Sequence, residues 1–305
     1  IGLGQELALF FLEALELAAC LFLGLFRLGG GEGVLQFLEA FVDVALALGS
    51  PFVAAVLRAA SRQIWRAPLT AALMADWPGD LAAAAMAMRL NAALHGLARL
   101  YQEQHGDFDA VLGEVLARHD DFIAQWMQRP TQTNEVGRAA AIWAALMVAG
   151  QGRGLPFELL ELGASSGLNL NLAHYAYDLG GLMTGARASG VHIRPVWRGA
   201  PPQGAPVAIH SARGVDLHPL DAAQCATRQR LMAYVWADDA ERSARLDQAL
   251  TLAVQNPPVV DKGGASAWLA ARKGAERRET EPGARRAGMA DSYTGCSIHT
   301  YPQGY

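Results

Sequence analysis

The sequence predicts a mixed α/β fold, with a helical first half followed by a domain built around a parallel sheet. Up to residue 150 the apolar residues recur at steps of three and four, as they do in helices with one buried face. From residue 157 a short apolar run, a glycine-rich turn and a new helical pattern follow one another. That order is typical of a strand, a tight loop and a helix in α/β folds. We therefore expect a helical region over residues 1–150 and an α/β domain over residues 151–270.

Composition and charge narrow the class of protein. With 305 residues, 52% hydrophobic and 18% charged, the chain can bury a core and is not of the disordered type. The net charge of −4, without a stripe of Lys and Arg before the last segment, predicts neither a nucleic-acid partner nor binding to an anionic membrane. The three cysteines lie far apart, and the eight histidines form no paired-ligand pattern. We therefore predict no metal site and a reducing, cytoplasmic location.

The first apolar segment, residues 7–28, bears on membrane binding. Its uninterrupted apolar run covers residues 17–26, which is shorter than the roughly 20 residues needed to cross a bilayer. No Lys or Arg precedes it, so it lacks the charged start of a signal peptide. We expect a core or interfacial helix without stable membrane insertion, and a membrane-anchoring role stays open as the alternative.

Further helices are predicted in the first half of the chain. The patterns indicate them over residues 37–48, 52–65, 81–101 and 108–129. Pro130 ends the last of these, because proline lacks the amide that a helix needs. His119 shares the apolar face of that helix, so we expect a packed histidine and not a catalytic one.

A polar cluster over residues 131–138 precedes the next helix, which is predicted to end near Ala149. Two interpretations of this cluster are open. Thr133 or Asn134 could cap the helix by accepting from its first free amides. Alternatively, Asn134, Glu135 and Arg138 face a ligand cleft and bind substrate, because the cluster has more polar groups than a cap requires.

The turn after the first predicted strand carries the spacing Glu161-x-Gly163-x-Ser165-x-Gly167. Glycine allows positive φ and leaves the backbone open to a ligand, and free amides at a helix start favour an anionic oxygen. The spacing resembles the first motif of S-adenosylmethionine (SAM) dependent methyltransferases, with Ser165 at the middle glycine position. The resemblance implies a Rossmann-like sheet and SAM as cofactor. The expected cofactor-binding residues are Glu161, Gly163, Ala164, Ser165, Gly167, Asn169 and Asp216.

Asp216 is predicted to end the second strand of the sheet. A carboxylate at that position can accept from both hydroxyls of a ribose. The separation from Glu161 far exceeds the roughly 20 residues of a compact βαβ unit, so we expect an inserted hairpin near residues 180–210. The alternative is that Asp216 only caps the turn before Pro219.

The last part of the chain predicts an incomplete sheet. Helices are indicated over residues 228–236 and 239–254, with a short strand at 259–260. Beyond it a mixed-charge run without apolar periodicity follows. We therefore expect an irregular or altered tail over residues 271–305, where a doubly wound sheet would have further strands.

Several segments together resemble a bacterial family of uncharacterised proteins, domain of unknown function 2332. The most specific pieces are Asn134-Glu135-Val136-Gly137-Arg138 and Gly163-Ala164-Ser165-Ser166-Gly167-Leu168-Asn169. Further matches lie at residues 48–52, 76–80, 197–199, 214–217 and 234–236. The resemblance implies a helical region before a methyltransferase-like domain, and it implies no established activity. The chain departs from the family at Gly264-Ala265, where an acidic residue is usual, and in lacking a recognisable later strand.

Three hypotheses of function follow, all with a small-molecule ligand. The first is a SAM-binding methyltransferase-like protein, for which no catalytic residue is predicted because methyl transfer depends mainly on alignment. The second is a serine hydrolase, since residues 163–167 satisfy G-x-S-x-G, with Ser165 as nucleophile, Asp216 or Asp221 as acid and a later histidine such as His299 as base. The third is a ligand-binding relative without catalysis. The sequence predicts neither the methyl acceptor nor the oligomeric state.

Overall fold

The computed structural model describes residues 31–100, 108–132, 134–152, 154–203, 206–280 and 294–298. They form two compact units. The first runs up to Thr131 and includes Trp236–Asp239, and the second comprises Gln132–Val235 and Ala240–Pro302. The helix that precedes the first strand packs its Trp143 and Met147 into the core of the second unit. The predicted helix within residues 7–28 lies outside the described residues.

The described part of the first unit is helical. Its elements are α1 (Gly31–Ala47), α2 (Pro51–Gln63), a 3-10 turn (Ile64–Arg66), α3 (Pro68–Ala75), α4 (Met86–Leu100), α5 (Phe108–Arg118) and α6 (Asp120–Met127). The helices predicted at 37–48 and 52–65 are confirmed, whereas the one predicted from residue 81 begins only at Met86. The single helix predicted over 108–129 is wrong: it is two helices, separated at His119, where φ is −118° and ψ is 22°. His119 itself is partly buried.

The break at His119 positions the carboxylate of Asp120. This side chain is 8% exposed and accepts from the amides of Leu69 and Thr70 at 2.7 and 2.9 Å. The Thr70 hydroxyl donates to the same carboxylate at 2.7 Å. These are free amides of the first turn of α3, which begins at Pro68 without a side-chain cap of its own. Asp120, the first residue of α6, therefore caps α3 although it is distant in the chain, and it holds the starts of the two helices together.

The segment Trp236–Asp239 belongs to the first unit through a similar contact. Asp238 accepts from the Ser50 hydroxyl at 2.6 and 2.8 Å and from the Phe52 amide at 3.2 Å. Ser50 in turn is the N-cap of α2 and accepts from the Val53 amide. Negative charge near the positive end of a helix is favourable, so Asp238 stabilises the start of α2.

The second unit contains two sheets. The larger is parallel, with strands β1 (Phe157–Leu162), β5 (Ile209–Asp216), β6 (Val260–Lys262) and β7 (Thr294–Ile298) in the spatial order β6-β5-β1-β7. The smaller has the order β3-β2-β4, with β2 (Ala176–Leu179), β3 (Leu182–Gly185) and β4 (His192–Ile193). The helices are α7 (Arg138–Ala149), α8 (Cys225–Ala233), α9 (Ala240–Gln255) and α10 (Ala265–Thr280). The mixed α/β class predicted from the sequence is confirmed.

One local prediction in this unit is wrong, and a second feature lies earlier in the chain than expected. A 3-10 helix, Leu168–His174, and strand β2 replace the α-helix predicted after the glycine turn. The hydroxyls of Tyr175 and Tyr177 donate to the carbonyls of Leu168 and Leu172 at 2.5 and 2.6 Å, and these contacts stabilise the tighter coil. The predicted hairpin exists, but as β2 and β3 at residues 176–185, before most of the expected range.

The predicted irregular tail also contains regular structure. Helix α10 continues to Thr280, and Thr294–Ile298 pair with the edge of β1 as strand β7. Strand β1 runs in register with this partner from Phe157 to Glu161. Backbone hydrogen bonds to a neighbouring strand supply the stabilisation that apolar periodicity did not indicate. In the described ranges, no helix has the length and apolar character required to cross a membrane.

Replacing Asp120 by alanine should lower the free energy of unfolding by about 2 kcal/mol, because two amides of the first turn of α3 and the buried Thr70 hydroxyl lose their acceptor. The matched control is Asp121→Ala, at the neighbouring exposed position. Urea unfolding followed by circular dichroism measures both. Equal losses for the two variants would contradict the capping role of Asp120.

Candidate functional site

The candidate site lies at the carboxyl ends of β1 and β5. These strands are parallel neighbours, and Glu161 and Leu162 pair with Gly214 and Val215. Asp216 follows Val215 as the last residue of β5. The two acidic residues singled out in the sequence therefore lie at the same edge of the sheet, on adjacent strands.

The loop after β1 requires left-handed backbone at alternate positions. Gly163, Ser165 and Gly167 have φ of 69°, 52° and 66°. A Cβ atom on Gly167 would lie 2.6 Å from Cβ of Pro258 and 2.9 Å from Cγ2 of Val260, so this glycine is needed for packing as well as for its φ. Ser165 adopts a conformation that costs a non-glycine residue roughly 1 kcal/mol, so its own hydrogen bonds must offset that cost.

Asp216 provides one of those hydrogen bonds. Its Oδ2 accepts from the Ser165 amide at 2.8 Å, and its Oδ1 accepts from the His218 amide at 2.8 Å. The carboxylate thus connects the loop after β1 with the turn after β5, as in the capping alternative considered for Asp216. Each carboxylate oxygen has a second lone pair, so these contacts leave acceptor capacity at Asp216.

Most amides of the loop donate to protein acceptors. Gly163 and Ala164 donate to the Val215 carbonyl at 2.9 and 3.1 Å, and Gly167 donates to the Ala164 carbonyl at 2.6 Å. The Ser166 hydroxyl donates to the Leu220 carbonyl at 3.0 Å. These amides are not available to an anionic ligand in this conformation. The seven-residue 3-10 helix that follows also provides a weaker dipole than the α-helix predicted there.

The side chain of Ser165 contacts the polar segment that precedes α7. Its hydroxyl donates to Oε1 of Gln132 and accepts from Nδ2 of Asn134 at 2.9 Å. Gln132 and Ser165 are 9% and 8% exposed, and Asn134 has a φ of 33°. Two residues with strained backbone therefore contact each other beside the turn. Within the described part of the chain, none of the hydrogen bonds of Ser165 goes to a histidine.

The capping interpretation of this segment is wrong for Asn134. The N-cap of α7 is Gly137, which makes no side-chain cap, and Thr133 lies outside the described residues. Asn134 instead contacts Ser165 of the glycine loop. Gln132 was not among the predicted site residues, although it lies only two residues before the segment Asn134-Glu135-Val136-Gly137-Arg138 that carries the family resemblance.

Glu135 and Arg138 do not join Asn134 at the loop. Glu135 forms ion pairs with Arg242 at 2.5 Å and Arg245 at 3.4 Å, and it accepts from the Gly137 amide at 2.8 Å. It therefore belongs to an ion cluster with α9. Arg138 is half-buried, and its guanidinium forms no hydrogen bond or ion pair with a described residue. The three residues predicted to bind substrate are thus divided between different surroundings.

Glu161 and Asn169, both predicted to bind cofactor, do lie together. Glu161 is 7% exposed, and its Oε1 accepts from Nδ2 of Asn169 at 3.1 Å. The cavity beside them measures about 10 Å³. It is lined by Ile142, Leu159, Leu160, Glu161, Asn169, Leu170 and Leu172. A volume of about 10–15 Å³ holds at most one water, so the loop has to move before a nucleoside enters on this side.

The third strand contributes an acidic residue that the sequence did not single out. Asp261 accepts from Arg213 through two bonds of 2.8 Å and from Nε1 of Trp268 at 2.6 Å. Hydrogen bonds from Arg213 and Trp268 lower the pKa of Asp261 to about 2. Its position on β6 follows from the strand order, and its spacing in the sequence provided no signal of it. Among the described residues, no three His, Cys, Asp or Glu side chains are grouped so as to hold a metal ion.

The chain belongs to a bacterial family of uncharacterised proteins. The family model described as "Uncharacterized protein conserved in bacteria (DUF2332)" matches residues 36–282, which confirms the resemblance noted in the sequence. No curated protein and no solved structure matches the chain.

Gly167→Ala should destabilise the second unit by more than Gly152→Ala, its matched control. Both glycines have φ near +67° (66° and 69°), but a Cβ on Gly152 meets nothing within 4 Å. The control isolates the backbone cost of roughly 1 kcal/mol, and Gly167→Ala adds the collision with Pro258 and Val260. Urea unfolding measures the difference. Equal values would contradict a packing role for Gly167.

Acid should remove the stabilisation that Asp261 provides. Because the pKa of Asp261 is lower in the folded protein (about 2) than in an unfolded chain (about 3.9), its contribution is complete above about pH 4 and disappears as the pH falls towards 2. Asp261→Asn should therefore be less stable than wild type at pH 6, and the difference should shrink towards pH 2. Unfolding curves across this range measure it, and a difference that does not change with pH would contradict the ion pair with Arg213.

Proposed function

We propose that the second unit binds an adenosine-containing ligand, SAM, at the carboxyl ends of β1 and β5, as a methyltransferase-like protein of the Rossmann type. The observation that carries the proposal is the placement of Glu161 and Asp216 at the ends of adjacent parallel strands. Between them is a loop with left-handed backbone at residues 163, 165 and 167. In open parallel sheets, ligands bind at this edge.

The strand order supports the same class of fold. When the four strands of the larger sheet are numbered in chain order as 1 (β1), 2 (β5), 3 (β6) and 4 (β7), their spatial order is 3-2-1-4. That is the order of the first four strands in a doubly wound dinucleotide-binding fold. The point where the order reverses lies between β1 and β7, next to the loop after β1. A crevice at such a reversal is the usual place for a nucleotide-type ligand.

The contacts of the loop suggest how the ligand would be held. Asp216 retains lone pairs after its bonds to the amides of Ser165 and His218, and these can accept from the hydroxyls of a ribose. The amides of Gly163, Ala164 and Gly167 are already satisfied, so a methionine carboxylate needs other donors or an opened loop. Glu161, beside Asn169, would accept from the methionine ammonium group once the small cavity widens.

Other functions receive less support from the site. A serine hydrolase is favoured by the left-handed Ser165 after a strand, but the partners of its hydroxyl are Gln132 and Asn134, and neither side chain can act as a base. His299, one candidate base from the sequence, lies outside the described residues. A relative that binds ligand without catalysis is consistent with a closed, internally satisfied loop.

Calorimetry with SAM and with S-adenosylhomocysteine tests the proposal. We expect both to bind the full chain, and Asp216→Asn to weaken binding about tenfold, because each charged hydrogen bond contributes roughly 1.5 kcal/mol. The asparagine keeps one acceptor for the loop, so the variant should still fold. Asp221→Asn is the matched control, since Asp221 is exposed and bonds only locally, to the Ala223 amide.

The outcomes of this experiment separate the hypotheses. Binding of both nucleosides that depends on Asp216 and not on Asp221 supports the proposed site. A folded wild-type chain that releases no heat with either compound contradicts SAM as the ligand. Binding that is equally weakened by both substitutions would place the ligand elsewhere.

A further inference from the structure

The first unit contains an open groove between α3 and α6, and its volume is about 410 Å³. That volume lies within the roughly 300–1,000 Å³ of small-molecule sites. We call it the helix groove. It is lined by Leu69, Ala72, Leu73 and Asp76 from α3 and its C-cap, Asp121, Ala124, Gln125 and Gln128 from α6 and its C-cap, and Trp77 and Pro78.

The lining residues come from one face of each helix. In both helices they recur at steps of three, one and three residues, which places them on a single stripe. The stripe on each side covers seven residue steps, or about 10 Å at 1.5 Å per residue. Each helix therefore provides a lining stripe about 10 Å long, a length that suits an extended chain.

Two contacts fix which ends of the helices meet. At one end Asp120 accepts from the amides of Leu69 and Thr70, so the starts of α3 and α6 are adjacent. At the other end Arg89 donates to the Met127 carbonyl at 2.9 Å, and its guanidinium lies 5.3 Å from the ring of Trp77. Asp121 is therefore at the first end of the helix groove and Asp76 is at the second, about 10 Å further along the helix axes.

The two charged residues that line the helix groove, Asp76 and Asp121, are both negative. Asp76 and Asp121 are exposed, and neither carboxylate forms a hydrogen bond or an ion pair with a described residue. No Lys or Arg is among the lining residues, and Arg89 is buried, at 9% exposure. Asp76 is also the C-cap of α3, where the negative end of the helix dipole makes a carboxylate unfavourable. A bound cation would relieve this repulsion.

We propose that the helix groove binds a linear organic dication, an α,ω-diamine or polyamine, along its length. One ammonium group lies at Asp121 and the other at Asp76, and the methylene chain covers Leu69, Leu73 and Ala124. One metal ion cannot be ligated by both carboxylates, because they lie at opposite ends. An organic anion would have no cationic partner among the lining residues. This site does not depend on the ligand proposed for the second unit.

Calorimetry on the full chain with octamethylenediamine tests the inference. We expect this diamine to bind more tightly than putrescine, which is too short to reach both carboxylates, and than octylamine, which has one charge. Suberate, a dicarboxylate of similar length, should not bind. Asp76→Asn and Asp121→Asn should each weaken octamethylenediamine up to about fivefold, the value of an exposed ion pair. Added salt should weaken it as well.

Two further variants separate this site from general attraction to a negative chain. Asp43→Asn removes an exposed carboxylate of α1 outside the helix groove and should leave binding unchanged. Ala72→Trp places a large side chain in the helix groove at an exposed position and should abolish binding, with the fold checked by circular dichroism. The inference is overturned if octamethylenediamine gives no heat, if it binds Ala72→Trp as well as wild type, or if Asp43→Asn weakens it as much as Asp76→Asn and Asp121→Asn do.

Discussion

The carboxylate of Asp216 is the contact on which the candidate site depends. One oxygen accepts from the Ser165 amide and the other from the His218 amide, so the ends of β1 and β5 are connected by a single side chain. Ser165 adopts a left-handed conformation that is unfavourable without such a bond. The Ser165 hydroxyl is held in addition by Gln132 and Asn134. Loss of the carboxylate would therefore affect backbone conformation, loop packing and any ligand contact together.

The hydrogen bonds that the loop amides already make create a competition between folding and binding. A loop whose amides at Gly163, Ala164 and Gly167 already donate to carbonyls is stable without a ligand. A ligand that needs those amides has to displace protein acceptors first. The free energy of that opening makes the binding free energy less favourable by the same amount. A ligand that instead uses the remaining lone pairs of Asp216 avoids this cost. The arrangement thus favours recognition of ligand hydroxyls over recognition of an anion by the loop.

Distant acidic side chains have a similar structural role in the first unit. Asp120 and Asp238 accept from amides at the starts of α3 and α2, and both come from segments far along the chain. Asp76 and Asp121 differ from them, because neither carboxylate has a partner in the described residues. Carboxylates that stabilise helix starts and carboxylates left for a ligand therefore occur side by side, at Asp120 and Asp121. The sequence alone does not distinguish them, since both are aspartates at the start of one helix.

Features with a local physical cause could be predicted from the residues alone. Glycine at positions 163 and 167 allows the left-handed backbone found there, and the apolar run through Glu161 forms strand β1. Which partner each polar group has depends on the fold. Gln132 contacts Ser165, Glu135 contacts Arg242, and β7 pairs with β1, all across long stretches of chain. A carboxylate or amide bonds to whichever group the fold brings within about 3 Å, and no pattern of neighbouring residues encodes that distance.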